Sequence, residues 1–170
     1  ACEAFGSSEF ETSITNVKFN TIDNSSEKEE NNQGYSDFKS LETQVVLNES
    51  YELSVKVNTD GAYRVQTKVW IDWNKDCLFD TTEEYDLGSA QDGVDILTSE
   101  SPLLIQVPEN VKVGLTTLRV STKYTDLDPV LFPFPCETNF DGEVEDYALV
   151  VKNVSITDGV FEDFNLFPNP

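Results

Sequence analysis

Apolar side chains recur at every second position along most of this chain. Residues 51–57 (YELSVKV) and 63–72 (YRVQTKVWID) alternate in this way and are rich in Val, Tyr and Thr, which suit a half-buried pleated surface. The tetrapeptide NTDG at 58–61 separates them and predicts a β-hairpin. Residues 103–107 (LLIQV), 116–124 (TTLRVSTKY) and 146–152 (DYALVVK) read as strands in the same manner, with fainter versions at 13–19, 42–47 and 94–98. No segment keeps a helical period beyond about two turns. Short strands between frequent turns predict an all-β fold, an antiparallel β-sandwich of jelly-roll or immunoglobulin-like type with about seven to nine strands. Residues 63–72 and 146–152 carry apolar side chains on both faces and are expected at the centre of a sheet.

The pattern lapses in three places. Residues 23–33 (DNSSEKEENNQ) form a polar, charged loop. Residues 126–142 hold three prolines and no alternation, which predicts a long ordered loop or flap. Within it, LFPFP at 131–135 is expected to close over the core, the other reading being an exposed apolar patch for a partner. From 153 the composition shifts, so residues 1–152 are expected to form the domain and 153–170 a linker and a further start.

Composition narrows the function. The chain has 170 residues with 11 Lys+Arg against 32 Asp+Glu, a formal charge of −21. That excess repels phosphate backbones and anionic lipid, so nucleic acid and membrane surfaces are not expected partners, and cations are. There is no His, which removes the commonest general base and the usual zinc ligand. There is no Met, so the chain is expected to be a processed or excised piece of a longer protein. No run approaches the ~18–20 apolar residues of a membrane helix. Cys2, Cys77 and Cys136 allow at most one disulfide between them, and sequence spacing does not choose the pair.

The densest chemistry lies in IDWNKDCLFDTTEEY, 71–85. Counted from Asp72, side-chain oxygens fall at positions 1 (Asp72), 3 (Asn74), 5 (Asp76), 9 (Asp80) and 12 (Glu83), with the Leu78 carbonyl at 7. This is the spacing of a twelve-residue calcium loop, in which a tight curl aims alternate oxygens inward and the last Glu closes the shell. Position 6 holds Cys77 instead of Gly, a cost of ~1–2 kcal/mol if its φ is positive. A strand leads in, so the loop would be EF-hand-like on a β scaffold with Ca²⁺ as the cofactor. The alternative is a solvated acidic turn.

A second acidic group is GEVEDY, 142–147. Glu143 and Glu145 share a face of an extended chain. They read better as a hydrogen-bonding or metal-binding strand entrance than as a glycosidase pair, whose members come from separate pocket-lining positions. With Asp37 and Asp146 they form the candidate second acidic site. Asp37 itself is expected to cap a turn, and Arg119 to pair with Asp146 or Glu145. Trp70 and Trp73 are expected on opposite faces of one strand, at least one in the core. The other is a candidate ligand-stacking platform, though core or rim is the plainer expectation. No catalytic residue is assigned.

GEVEDY resembles the signature of the GEVED domain of secreted bacterial proteins, mostly from Bacteroidetes. The likeness spans most of residues 1–152 and includes Cys2, Ile14 and Val17, GYSDF (34–38), VWIDWNKDCLFDTTEEY, LRVS (118–121) and Cys136. Cys77 stands where the family has Gly. The resemblance implies a Cys2–Cys136 disulfide with Cys77 free, secretion or a cell-surface location, and an accessory place beside other domains of one chain. FNLFPNP (164–170) is similar to the opening of a type IX secretion sorting domain. The expected function is therefore a non-catalytic, calcium-binding accessory module that binds a polysaccharide or protein polymer. A spacer between a catalytic domain and the sorting signal is the alternative. A carboxylate-dependent hydrolase using Glu143 or Glu145 is the third reading.

Overall fold

The computed structural model describes residues 1–29 and 34–153. The expected linker beyond 153 and the sorting-domain likeness at 164–170 lie outside the described residues, as do positions 30–33 of the polar loop. The described residues form β1 (Phe5–Gly6), β2 (Ser13–Phe19), β3 (Ile22–Ser25), β4 (Tyr35–Val46), β5 (Ser50–Asn58) and β6 (Arg64–Ile71). After a 3-10 turn at Thr81–Glu83 follow β7 (Glu84–Gln91), β8 (Ile96–Leu97), β9 (Leu103–Gln106), β10 (Gly114–Thr125), β11 (Thr138–Phe140) and β12 (Gly142–Lys152).

The strands make a sandwich. The larger sheet has the order β4-β12-β10-β6-β7, and the smaller has β3-β2-β5-β8 with β9 also on β5. Alternation along each strand sends one set of side chains into the space between the sheets. Ile14, Val17 and Phe19 of β2 and Leu53, Val55 and Val57 of β5 face Val65, Val69 and Ile71 of β6, Leu118 and Val120 of β10, and Leu149 and Val151 of β12. Strands β6 and β12 have neighbours on both sides, as their two-faced apolar pattern predicts.

Two expectations fail in instructive ways. The NTDG turn does not make a hairpin, because β5 and β6 belong to different sheets. Thr59 is buried, its N–H donates to the Gly93 carbonyl (2.9 Å) and its hydroxyl to Gly61 (2.7 Å). These bonds fold the turn onto the loop after β7 and carry the chain across the sandwich. Nor is the larger sheet wholly antiparallel: β4 runs parallel to β12. A parallel pair needs a long connection, and all the strands from β5 to β11 lie between these two. Strand β4 bulges between its pairings with Tyr147 and Ala148, where Phe38 is followed in register by Glu42.

The proline-containing segment lies over part of the outer face of the larger sheet, at β6 and β10. Phe132 lies over the Lys68 amine and Phe134 over the Lys123 amine, at 4.7 and 5.1 Å. Lys68 bonds Glu84 (2.6 Å), and Lys123 bonds Glu137. The LFPFP run thus caps charged stems on the sheet's outside and does not close the core, and Phe134 remains exposed. The disulfide joins Cys2 to Cys136, and Cys77 is free and exposed.

Candidate metal centre

Strand β6 ends at Ile71 and delivers Asp72 at the rim of the sandwich. Its backbone is fastened on both sides: Asp72 N–H donates to Thr117 O (3.1 Å), and the buried Thr116 hydroxyl donates to Asp72 O. From that anchor the chain curls around carboxylates. Asp72 Oδ1 accepts from Asp76 N–H (3.2 Å) and Oδ2 from Cys77 N–H (2.9 Å). Asn74 Oδ1 also accepts from Asp76 N–H, and Asp76 Oδ1 accepts from Leu78 N–H. The curl needs left-handed backbone, and Lys75 (φ 59°) and Cys77 (φ 68°) supply it. Cys77 therefore adopts the conformation that a Gly at position 6 would take freely.

Glu83 closes the curl from the far side. Its Oε2 accepts from Asn74 N–H and its Oε1 from Asp80 N–H, both at 3.2 Å. Asp72 and Glu83 are buried, while Asp76 is exposed. One oxygen from each of Asp72, Asp76 and Glu83 lies within 4.8 Å of the others. Among the described residues no Lys or Arg pairs with these three acids. Lys75, the nearest cation in sequence, gives its amine to Val113 O (3.0 Å). Burial pushes the Glu83 carboxyl above its ordinary range, against two backbone hydrogen bonds that favour its charged form.

This donor set fits a hard cation. Each carboxylate has about four lone-pair sites, so the oxygens that accept backbone N–H groups keep capacity for a metal. All the donors are oxygen, as Ca²⁺ prefers. The other members of the predicted loop carry hydrogen bonds of their own. Asn74 stays on the curl through Asp76 N–H. Asp80 caps the 3-10 turn, accepting from Thr82 N–H (2.9 Å) and the Thr82 hydroxyl (2.6 Å). Leu78, whose expected donor is its backbone carbonyl, is 64% exposed, and its N–H donates to Asp76 Oδ1 (2.9 Å).

The second acidic group does not converge. Cross-strand register sets Asp146 on the outer face of β12 and Glu143 and Glu145 on the inner face. Arg119 grips Asp146 with two bonds of 2.8 Å, Tyr35 O–H donates to the same carboxylate, and another Arg119 amine reaches Cys2 O and Pro135 O. Of the two pairings expected for Arg119, the structure makes the one with Asp146. Asp37 stands opposite Asp146 in the β4–β12 register, but its carboxylate accepts from Lys39 N–H two residues on, the turn-cap arrangement, and pairs with the Lys39 amine at 3.4 Å. Glu143 and Glu145 are fully buried and serve as hydrogen-bond acceptors inside the sandwich.

Both tryptophans are buried, which corrects the stacking-platform reading. Trp70 is 1% exposed and donates to Glu84 Oε1 (3.0 Å) on the outer face of the sheet. Trp73 lies past the end of β6, joins the core and donates to Tyr85 O–H (2.8 Å). Sequence reasoning also passed over Phe79, whose ring lies over Arg119, over Ser26, which bonds the interior acid Glu145, and over Asn24, which bonds the Tyr147 hydroxyl. The signal for the interior acids was present: Glu143, Glu145 and Tyr147 continue backwards the alternation of Leu149 and Val151.

The fold and loop define a disulfide-linked β-sandwich domain with a carboxylate cage at one rim. A family model, the GEVED domain, matches residues 66–150, and the chain belongs to that family. The match runs from within β6 to near the end of β12, so it contains the whole cage and the interior acids. No curated protein matches the chain.

Proposed function

We propose that this is a non-catalytic, calcium-binding accessory module of a secreted or cell-surface multidomain protein. The observation that carries the calcium reading is the gathering of one oxygen each from Asp72, Asp76 and Glu83 within 4.8 Å of one another, with no ion pair to them among the described residues. Ca²⁺ supplies the missing positive charge there and ties the exit of β6 to the start of β7. The Cys2–Cys136 disulfide supports an oxidising, extracellular setting. No helix among the described residues is long and apolar enough to cross a membrane. Enclosure of Glu143 and Glu145 keeps both from any substrate, which supports a non-catalytic role.

The test is a thermal melt of the chain in EDTA and in millimolar Ca²⁺, beside an Asp76→Ala/Glu83→Ala variant. Binding to the native state alone must raise the melting temperature. A rise in the unmodified chain that the variant lacks is the expected result, and superimposable curves would end the calcium reading. Within the same proposal, the module's task is to hold a polysaccharide or protein polymer. The burial of both tryptophans favours a second reading, a structural spacer. Retention on insoluble polysaccharide or collagen separates the two, because a spacer binds neither.

A further inference from the structure

Strand β12 points Glu143, Glu145 and Tyr147 into the sandwich ahead of its apolar run, and all three are 0% exposed. Two interior carboxyls on one strand face cannot both stay ionised cheaply. The bonding around Glu145 shows where a proton fits. Asn24 Nδ2 donates to the Tyr147 oxygen (2.9 Å), and Tyr147 O–H donates to Glu145 Oε1 (2.8 Å). Ser26 Oγ lies 2.7 Å from Glu145 Oε2 and 3.4 Å from the Ile14 carbonyl. A hydroxyl has one hydrogen to give. With Glu145 ionised, Ser26 spends it on Oε2 and leaves Ile14. With Glu145 protonated, Oε2–H donates to Ser26, and Ser26 donates onward to Ile14 O. The protonated form satisfies every atom of that relay.

The surrounding charges leave this proton in place. Glu143, on the same strand, accepts from Ile14 N–H (2.8 Å) with Oε1, while its Oε2 has no hydrogen-bond partner among the described residues. Lys28 is the cation that acts on Glu143, and it also acts on Asp141, Glu11 and Asp60. Its amine is held by Phe10 O and Thr12 O. The neighbours on β2, β6 and β10 are Ile14, Val69, Val120 and a bonded Thr67–Thr122 hydroxyl pair, none of which titrates in this range. Outside Ser26, the cleft is lined by Glu27, Glu29, Tyr35 and Asp37, which add no positive charge.

We propose that Glu145 is a resident proton site and that residues 22–28 are a proton-gated strap held shut by it. Strand β3 in this strap is an edge of four residues that pairs with β2 alone. Asn24 of β3 and Ser26 just after it fasten the strap to β12, at the two ends of the Glu145 network. Burial pushes Glu143 up to about 7 and Glu145 up to about 8, the latter also raised by the charge of Glu143. Loss of the proton turns Ser26 from Ile14 to Glu145 and puts a second negative charge beside Glu143 in the interior. Ser26 and Tyr147 still donate to it, but two buried like charges need water, and the edge strap parts to admit it before the central strands do.

The test uses the full chain in EDTA, which removes any metal contribution. A residue-resolved carboxyl NMR titration is expected to give Glu145 a midpoint near 8. Amide protection in residues 22–28, corrected for the intrinsic exchange rate, is expected to fall by about tenfold or more over the same interval. Glu145→Gln donates to Ser26 and accepts from Tyr147 as the protonated acid does, so its strap is expected to keep its protection to within about twofold. A Glu145 midpoint below about 6 would overturn the proposal. So would an equal loss of protection in the Gln variant and the unmodified chain. If the variant does not fold, the unmodified chain decides alone, since midpoints for Glu145 and for strap opening that differ by more than about one pH unit also defeat the idea.

Discussion

Phe79, the eighth residue of the acidic curl, lies with its ring over the Arg119 guanidinium, 5.2 Å from ring centre to carbon. The contact joins the candidate cation cage to the buried pair that holds the N-terminal segment. A cation over a ring is worth ~0.5–1 kcal/mol when exposed and ~2 when desolvated, and Arg119 is buried. Phe79→Ala is expected to cost about 1–2 kcal/mol in urea unfolding, with Phe79→Leu recovering only the apolar share. Equal stability of the Leu variant and the parent would show that the ring's face contributes nothing.

Cys77 sits at φ 68°. A Cβ in that region costs ~1–2 kcal/mol, while Gly loses ~0.4–1 kcal/mol more chain entropy on folding. Cys77→Gly is therefore expected to stabilise the chain by roughly 0.5–1 kcal/mol, read as a higher urea midpoint at unchanged slope. The exposed thiol disappears with it.

Arg119 and Asp146 form a buried two-point pair at 2.8 Å. Removing one partner leaves an uncompensated interior charge, so Arg119→Leu is expected to cost ~3–5 kcal/mol. Arg119→Lys recovers little of it, because a single ammonium cannot span both carboxylate oxygens and the carbonyls of Cys2 and Pro135. The double variant Arg119→Leu/Asp146→Leu is expected to lose much less than the sum of the single losses. Strict additivity in that cycle would refute the pairing argument.

The calcium response should depend on pH through Glu83. Its folded carboxyl lies above its ordinary value of 4.5 because of burial, so protons compete for it in mild acid. For the metal-free chain a raised carboxyl contributes stability below the unfolded value and loses it as pH rises through the folded one. Ca²⁺ reverses the sign by holding the charged form. The calcium-induced rise in melting temperature is expected to be small near pH 4.5 and larger at pH 7, and a shift of constant size would argue that Glu83 is not a ligand.

Much of this was legible in the chain. Strand β2 falls on the residues its alternation predicts, and β5, β6, β9, β10 and β12 are found within a few residues of their patterns. Strand β7 was missed because EYDLGSAQ pairs polar residues with a bulge at Gly88, leaving no period of two to read. The NTDG turn misled because local turn chemistry says nothing about which sheet each flanking strand will join. In the acidic curl, spacing identified Asp72, Asp76 and Glu83 correctly as neighbours. Asp80, expected at position 9, also caps the 3-10 turn, a second use of the same side chain that a one-dimensional pattern does not reveal. The four acids taken together as a second site separate because adjacent residues of a strand face opposite ways.

The Cys2–Cys136 bond has a mechanical consequence. Tension applied between residue 2 and residue 152 has a covalent path that leaves the chain at Cys2, re-enters at Cys136 and runs out along β12. Only the sixteen steps from Cys136 to Lys152 can lengthen, to roughly 55 Å. Everything between the two cysteines, the cation cage included, is shunted out of the load. What bears the force instead is β12, gripped along its length by β4 on one side and β10 on the other. Because β12 is already an extended strand from Gly142 to Lys152, the loaded path has little length left to give and the tension runs along its backbone, while the cage, outside that path, keeps its shape when the line is taut.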